Sequence, residues 1–224
     1  MAGHPSNPRA QGLCFGYWAS VGAILAPFAV SAALCFGLGV AEARVYYSEG
    51  GPFELGTALL MVTVASLCLA WRQHLNIRSL LPPFIALLMA AREFDAQNWI
   101  EHLGAPLIED LIAGAVILPI AAIILYFLWR VRFSILKTVR DFQPYALSTM
   151  LGFAMVVLSL SLDGISRKFF NLTGVKLSSQ AGDLAHIAEE TGEFAMALAF
   201  LVALLQLRYD PERNTLPVTA SAAP

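Results

Sequence analysis

Long apolar stretches alternate with short polar ones along most of the chain. Each apolar stretch has about 20 residues, which is the length that an α-helix needs to cross the hydrocarbon core of a membrane. The pattern therefore predicts an all-α fold, an integral membrane bundle of six transmembrane helices. The predicted spans are residues 18–40, 52–71, 79–99, 108–129, 145–165 and 187–207.

Residues 1–17 and 209–224 lie outside these spans and contain proline and polar residues. Both are expected to be disordered tails. The first span is longer than the apolar core of a signal peptide, and no small-residue cleavage site stands where one is expected. We therefore expect it to remain as an anchor of a single membrane domain at residues 18–208.

Composition agrees with a membrane location. Of the 224 residues, 58% are hydrophobic and 13% are charged, against about 25% charged residues in soluble domains. The net charge of −2 argues against a nucleic-acid partner. Cys14, Cys35 and Cys68 are widely spaced, and we interpret them as small apolar residues rather than as disulfide or metal ligands. The expected partners are membrane lipids.

The distribution of Lys and Arg predicts the orientation. If both termini are cytoplasmic, as in a bacterial inner-membrane protein, nine of the 14 basic residues lie inside. The nine are Arg9, Arg72, Arg78, Arg130, Arg132, Lys137, Arg140, Arg208 and Arg213. Of the 16 acidic residues, all but Asp141, Asp210 and Glu212 then lie outside or in the outer leaflet. Acids contribute little to topology, so we interpret this second asymmetry as a functional outer face.

The end of the third predicted span contains an unusual charged stretch, Ala91-Arg92-Glu93-Phe94-Asp95. Counted from Arg78, Glu93 lies roughly 22 Å along a hydrocarbon core of about 30 Å. The C-terminus of a helix also disfavours carboxylates. Ionisable groups at membrane depth are by default candidates for a functional site.

The last span begins with a second acidic cluster. His186, Glu190 and Glu193 follow one another at i, i+4 and i+7 and share one helix face, with Glu189 at its border. Glu193 lies fifteen residues from Arg208, a distance of about 22 Å. This is the depth expected for Glu93.

Two further acids are expected in the same outer third of the membrane as Glu93 and Glu193. Glu54 opens the second span, where stabilisation of the helix N-terminus alone would also explain a carboxylate. Asp163 closes the fifth span, where an ion pair with Arg167 is the alternative.

These residues predict an acidic cavity that opens to the outer side. Its expected metal ligands are Glu54, Glu93, His186, Glu190 and Glu193, its catalytic residues are Glu93 and Glu193, and its supporting residues are Arg92, Asp95 and Asp163.

Three functions suit such a cavity. A divalent metal ion, of unknown identity, could activate water for the hydrolysis of a lipid ester or amide. The carboxylates could instead form a cation or proton pathway of a transporter or channel. An ion-paired network that only fixes helix packing is the third alternative.

Three acidic motifs of this chain resemble motifs of other membrane proteins. Glu49-Gly50-Gly51-Pro52-Phe53-Glu54, the stretch 91–95 and Glu189-Glu190-x-x-Glu193 together resemble a loose set of uncharacterised bacterial inner-membrane proteins. The chain is more distantly similar to the membrane hydrolases of the alkaline ceramidase and progestin-receptor-like superfamily, which implies metal ligands inside a helical bundle. Those proteins use several histidines and seven spans, whereas this chain offers only His102 and His186 on the outer side.

Overall fold

A computed structural model describes residues 8–48, 50–73, 83, 85–87, 89, 90, 143–162 and 165–209, with side chains from residue 15 onward except at residue 167. These residues form helices, turns and connecting segments, and no strand occurs among them. The all-α class predicted from hydropathy is confirmed for this part of the chain.

The helices are α1 (Pro8–Leu38), α2 (Val40–Ala43), a 3-10 helix (Arg44–Tyr47), α3 (Pro52–Ala70), α4 (Pro144–Leu162), α5 (Ile165–Thr173) and α6 (Ser179–Arg208). Within the described ranges, four segments are long and apolar enough to cross a membrane: Phe15–Leu38, Val40–Ala70, Pro144–Leu162 and Ser179–Arg208. They are the helices of a membrane protein. Of the span expected at 79–99 the structure describes only residues 83, 85–87, 89 and 90, which are helical, and it describes none of the span expected at 108–129, so the count of six stays a prediction.

Two helices begin earlier than the apolar pattern indicates. The final helix begins at Ser179 rather than at 187, because the Ser178 hydroxyl caps it by accepting a hydrogen bond of 3.2 Å from the Ala181 backbone N–H. The first helix begins at Pro8, inside the segment expected to be a disordered leader, and proline suits the first helical position. Hydropathy locates the membrane-crossing part of a helix, whereas caps decide where the helix begins.

The final helix α6 lies against α1, α3 and α4 and is the centre of the described bundle. Small residues allow these close approaches. Gly152 of α4 faces the ring of Phe200, and Gly56 of α3 faces that of Phe194. The core between α3 and α6 is formed by Met61, Val64, Ala65, Cys68, Met196, Ala197 and Leu204.

A hydrogen-bonded cluster ties α1, α4 and α6 together near the Arg208 end. The Gln206 amide donates to the Gly16 carbonyl at 2.8 Å and to the Ser20 hydroxyl at 3.1 Å. The Ser148 hydroxyl lies 2.7 Å from Ser20 Oγ and 2.9 Å from Gln206 Oε1. Because polar groups inside a membrane need internal partners, this cluster is a structural clamp between the three helices.

Candidate functional site

The acidic end of the bundle, where α3 and α6 begin, contains the carboxylates of Glu54, Glu189, Glu190 and Glu193. Glu193 is only 3% exposed. Its burial follows from the central position of α6, which α1, α3 and α4 surround. The carboxylate that the sequence predicts to lie deepest on α6 is thus enclosed by protein rather than turned toward lipid.

Glu190 lies one turn nearer the start of α6 and is within electrostatic range of Glu193, Glu189, Glu54 and His186. Its carboxylate oxygen Oε2 is buried and has no hydrogen-bond partner among the described residues. A buried carboxylate oxygen without a partner is costly. Binding a cation or a proton at this oxygen would remove the cost.

His186 contacts a different carboxylate from the one expected. Its Nδ1 lies 4.0 Å from Glu189 Oε2, whereas the i, i+4 spacing had suggested Glu190 as its neighbour. A helical side chain reaches both the i+3 and the i+4 position, so sequence spacing alone does not choose between them. The His186 side chain is partly accessible, and that of Glu189 is more sheltered.

Three hydroxyls form a buried hydrogen-bonded group beside the acids. The Tyr47 hydroxyl donates to Ser31 Oγ at 2.6 Å. Ser31 and Thr191 share a hydrogen bond of 2.7 Å in which either can donate. Tyr47 follows the first predicted span, where aromatic residues are typical of the membrane surface, but it is completely buried and stacks on Phe53 with ring centroids 4.2 Å apart.

Glu54 performs the capping role that the sequence allowed. It lies in the first turn of α3, and its Oε2 accepts a hydrogen bond from the Gly50 backbone N–H. Gly50 has a φ of +72°, in the left-handed region that favours glycine. Glu54 therefore stabilises the turn that leads into α3, and its presence here needs no metal.

An ion pair connects the loop before α3 to the start of α6. Arg44 Nη1 lies 2.7 Å from Asp183 Oδ1. Both residues border an open cleft of about 400 Å³, which His186 and Glu189 also line. The cleft thus lies at the acidic end of the bundle, beside the first turns of α6.

Several predicted site residues lie outside the described part of the chain: Arg92, Glu93, Asp95 and Asp163. The meeting of Glu93 with Glu193 in one pocket accordingly stays a prediction. Within the described ranges, no three His, Cys, Asp or Glu side chains are arranged to hold a metal ion. Of the five expected ligands, the structure brings Glu190 and Glu193 together, places His186 beside Glu189, and gives Glu54 a capping role.

Sequence reasoning did not identify Ser31, Tyr47, Thr191, Arg44 or Asp183 as parts of this site. Ser31 had a usable signal, because it is a polar residue in the middle of an apolar span. The others stand in stretches where polar residues are ordinary, and only the packing of distant segments brings them together.

Comparison of the chain with protein-family models, with curated proteins and with solved structures found no match. The resemblance noted from the three acidic motifs stays a prediction. Any functional assignment must therefore come from the site itself.

Proposed function

We propose that this protein is a multi-pass cell-membrane protein that binds a divalent cation between Glu190 and Glu193 and uses it to hydrolyse a membrane lipid. The observation that carries the proposal is the buried oxygen Oε2 of Glu190, which has no hydrogen-bond partner among the described residues. It lies beside a second buried carboxylate, that of Glu193. Two adjacent carboxylates in a membrane helix favour a bound cation over joint ionisation without one.

In this proposal Glu190 and Glu193 hold the cation, and Glu93 of the third predicted span is a further ligand. The cation would polarise an ester or amide carbonyl and activate water. Glu193 would hold the proton that the water loses. His186 and Glu189 lie nearer the end of the bundle. Glu54 accepts a hydrogen bond from Gly50 through Oε2, and its Oε1 would be the atom that serves as a ligand.

A site open to one side is favoured over a pathway through the membrane. On α6, every residue between Glu193 and Gln206 is apolar, over a distance of roughly 20 Å. On α6, no polar residue therefore lies between the acidic cluster near its start and Gln206. This supports chemistry at the acidic end rather than conduction of a cation or proton.

The first test is metal content. Detergent-purified protein, equilibrated with Mg²⁺, Mn²⁺, Ca²⁺ or Zn²⁺ and desalted, is expected to retain about one metal ion per chain by elemental analysis. Glu190→Gln and Glu193→Gln should each weaken retention by at least the roughly 10–100-fold that loss of an outer-shell partner costs. Release of products from phospholipid vesicles should fall in parallel.

Glu42→Gln is the matched control, because Glu42 is an exposed acid on α2, and it should retain the metal. Equal metal content in all four proteins would reject the cation site. A cation or pH-driven flux in reconstituted vesicles that Glu193→Gln abolishes would replace hydrolysis by transport. Loss of thermal stability in the Gln variants, with neither metal nor flux in the parent, would indicate a purely structural network.

The proposal also places the acidic end outside the cell and both termini in the cytoplasm. In a variant with Cys14, Cys35 and Cys68 replaced by Ala, a cysteine at Ser178 should react with a membrane-impermeant maleimide added to intact cells. A cysteine at Tyr209 should react only after the membrane is opened. The reverse pattern would invert the orientation and assign the acidic pocket to the cytoplasmic side.

A further inference from the structure

The open cleft at the acidic end has a composition that the proposed cation site does not explain. It lies between the start of α5, the first turns of α6 and the 3-10 helix, and has a volume of about 400 Å³. Its polar lining consists of three serines, Ser166, Ser178 and Ser179, and of Arg44, Asp183, His186 and Glu189. Both signs of charge thus face one small space.

The cleft lies at the level of the lipid headgroups along the membrane normal. The helix α6 has 30 residues and is about 45 Å long, whereas the hydrocarbon core is about 30 Å thick. Counted from Arg208, the core ends near Ala188. Asp183 and His186 then lie within the first several ångströms beyond it, which is where phosphate and amine groups of lipids lie.

The charged side chains of the cleft differ in their exposure to solvent. The Arg44 side chain is 55% exposed, whereas those of Asp183 and Glu189 are 14% and 13% exposed. A guanidinium has five N–H donors, and the ion pair to Asp183 involves Nη1, which carries two of them. Arg44 can therefore hold an anionic group at the rim while the two sheltered carboxylates accept from a cationic group within the cleft.

The apolar surroundings suit acyl chains. On α4, the side chains of Phe153, Val157 and Leu160 follow at i, i+4 and i+7 and are exposed, so they form a stripe that leads to the cleft. The short helix α5 carries Ile165, Phe169 and Leu172 at the same spacing, next to basic residues. An amphipathic helix of this kind lies in the membrane surface.

We propose that the cleft binds the headgroup of a phospholipid with a primary ammonium group. The phosphate contacts Arg44 and His186, the ammonium donates to Asp183 and Glu189, and the acyl chains descend along the α4 stripe. Apart from His186, the charged lining carries one positive and two negative groups, which disfavours lipids with a net negative charge. A quaternary ammonium has no N–H to donate, so choline lipids lose the contact with the carboxylates.

Binding of short-chain lipids to the delipidated full-length protein tests this directly. By calorimetric titration, dihexanoyl-phosphatidylethanolamine should bind with a Kd about tenfold lower than the choline or glycerol analogue, the difference expected for one charge-assisted hydrogen bond. Glu189→Gln should reduce this preference to about threefold or less, and Arg44→Gln should weaken binding of all phospholipids.

Glu42→Gln, an exposed acid outside the cleft, should keep the preference, and thermal unfolding identifies any variant that does not fold. If Glu189→Gln does not fold, Glu189→Asp takes its place, with a smaller loss of preference expected. Glu190→Gln should also keep it, which separates this inference from the proposed cation site. Equal affinity for the three lipids, or an unchanged preference in the folded Glu189 variant, would reject the headgroup site.

Glycerophosphoethanolamine without acyl chains should bind at least tenfold more weakly than the lipid. Equal affinity would make the ligand a soluble phosphoamine and overturn the lipid assignment.

Discussion

Replacement of Tyr47 by alanine is expected to lower the free energy of unfolding by about 3–5 kcal/mol, the usual cost of removing a buried aromatic ring. Tyr47 is completely buried, stacks on Phe53, and donates a hydrogen bond to Ser31 of α1. The variant therefore loses ring packing and leaves the Ser31 hydroxyl with one partner fewer. Equilibrium unfolding in detergent mixed with a denaturing surfactant measures the change.

The neighbouring residue provides the control. Tyr46 is 41% exposed, and Tyr46→Ala should change the free energy of unfolding by about 0.5 kcal/mol or less. Tyr47→Phe keeps the ring and removes the hydroxyl, so it should cost about 1 kcal/mol. Similar losses at positions 46 and 47 would mean that the 3-10 helix does not turn Tyr47 into the bundle.

Gly152→Ala is expected to destabilise the protein by about 1–3 kcal/mol, because overpacking a close helix contact forces side chains or backbones to move. A Cβ atom at Gly152 would lie 2.7 Å from Cε1 of Phe200 on α6. Either the ring must leave its place in the core or α4 and α6 must separate. The same unfolding measurement detects the loss.

Gly22→Ala is the matched control, since a Cβ at Gly22 of α1 meets nothing within 4 Å. This change should leave stability unchanged or raise it by up to about 1 kcal/mol. Phe200→Leu removes the clashing ring, so the double variant with Gly152→Ala should lose less than the sum of the single losses, by about 0.5–3 kcal/mol. Strict additivity would contradict the contact between α4 and α6.

The acidic pocket illustrates how far residue spacing can be used. The i, i+4 and i+7 spacing of His186, Glu190 and Glu193 predicted acids on one face of the last helix, because helical periodicity is a local property, and the structure buries Glu193 in the bundle. Spacing did not decide whether His186 would contact Glu189 or Glu190, since both lie within reach on a helix. It also could not show that Glu54 accepts a hydrogen bond from Gly50, although capping is one of the roles that its place in the first turn of a helix allows.

The cluster of three hydrogen-bonded hydroxyls, those of Tyr47, Ser31 and Thr191, could not be predicted from the sequence for a different reason. Its members come from three segments, and Thr191 is 160 positions from Ser31. No local periodicity links such residues. Their contact depends on how α1 and the 3-10 helix pack against α6, and that packing reflects small residues and shape rather than hydropathy.

The sequence by itself determined that this is a helical membrane protein and approximately where its apolar helices lie. It could do so because the thickness of a membrane and the internal hydrogen bonding of helices act on each segment separately. The tertiary structure decided which polar side chains share a pocket, that α6 is central, and that Tyr47 points inward. These features depend on contacts between distant segments, where side-chain shape and the need to satisfy buried polar groups select one arrangement among several with the same hydropathy pattern.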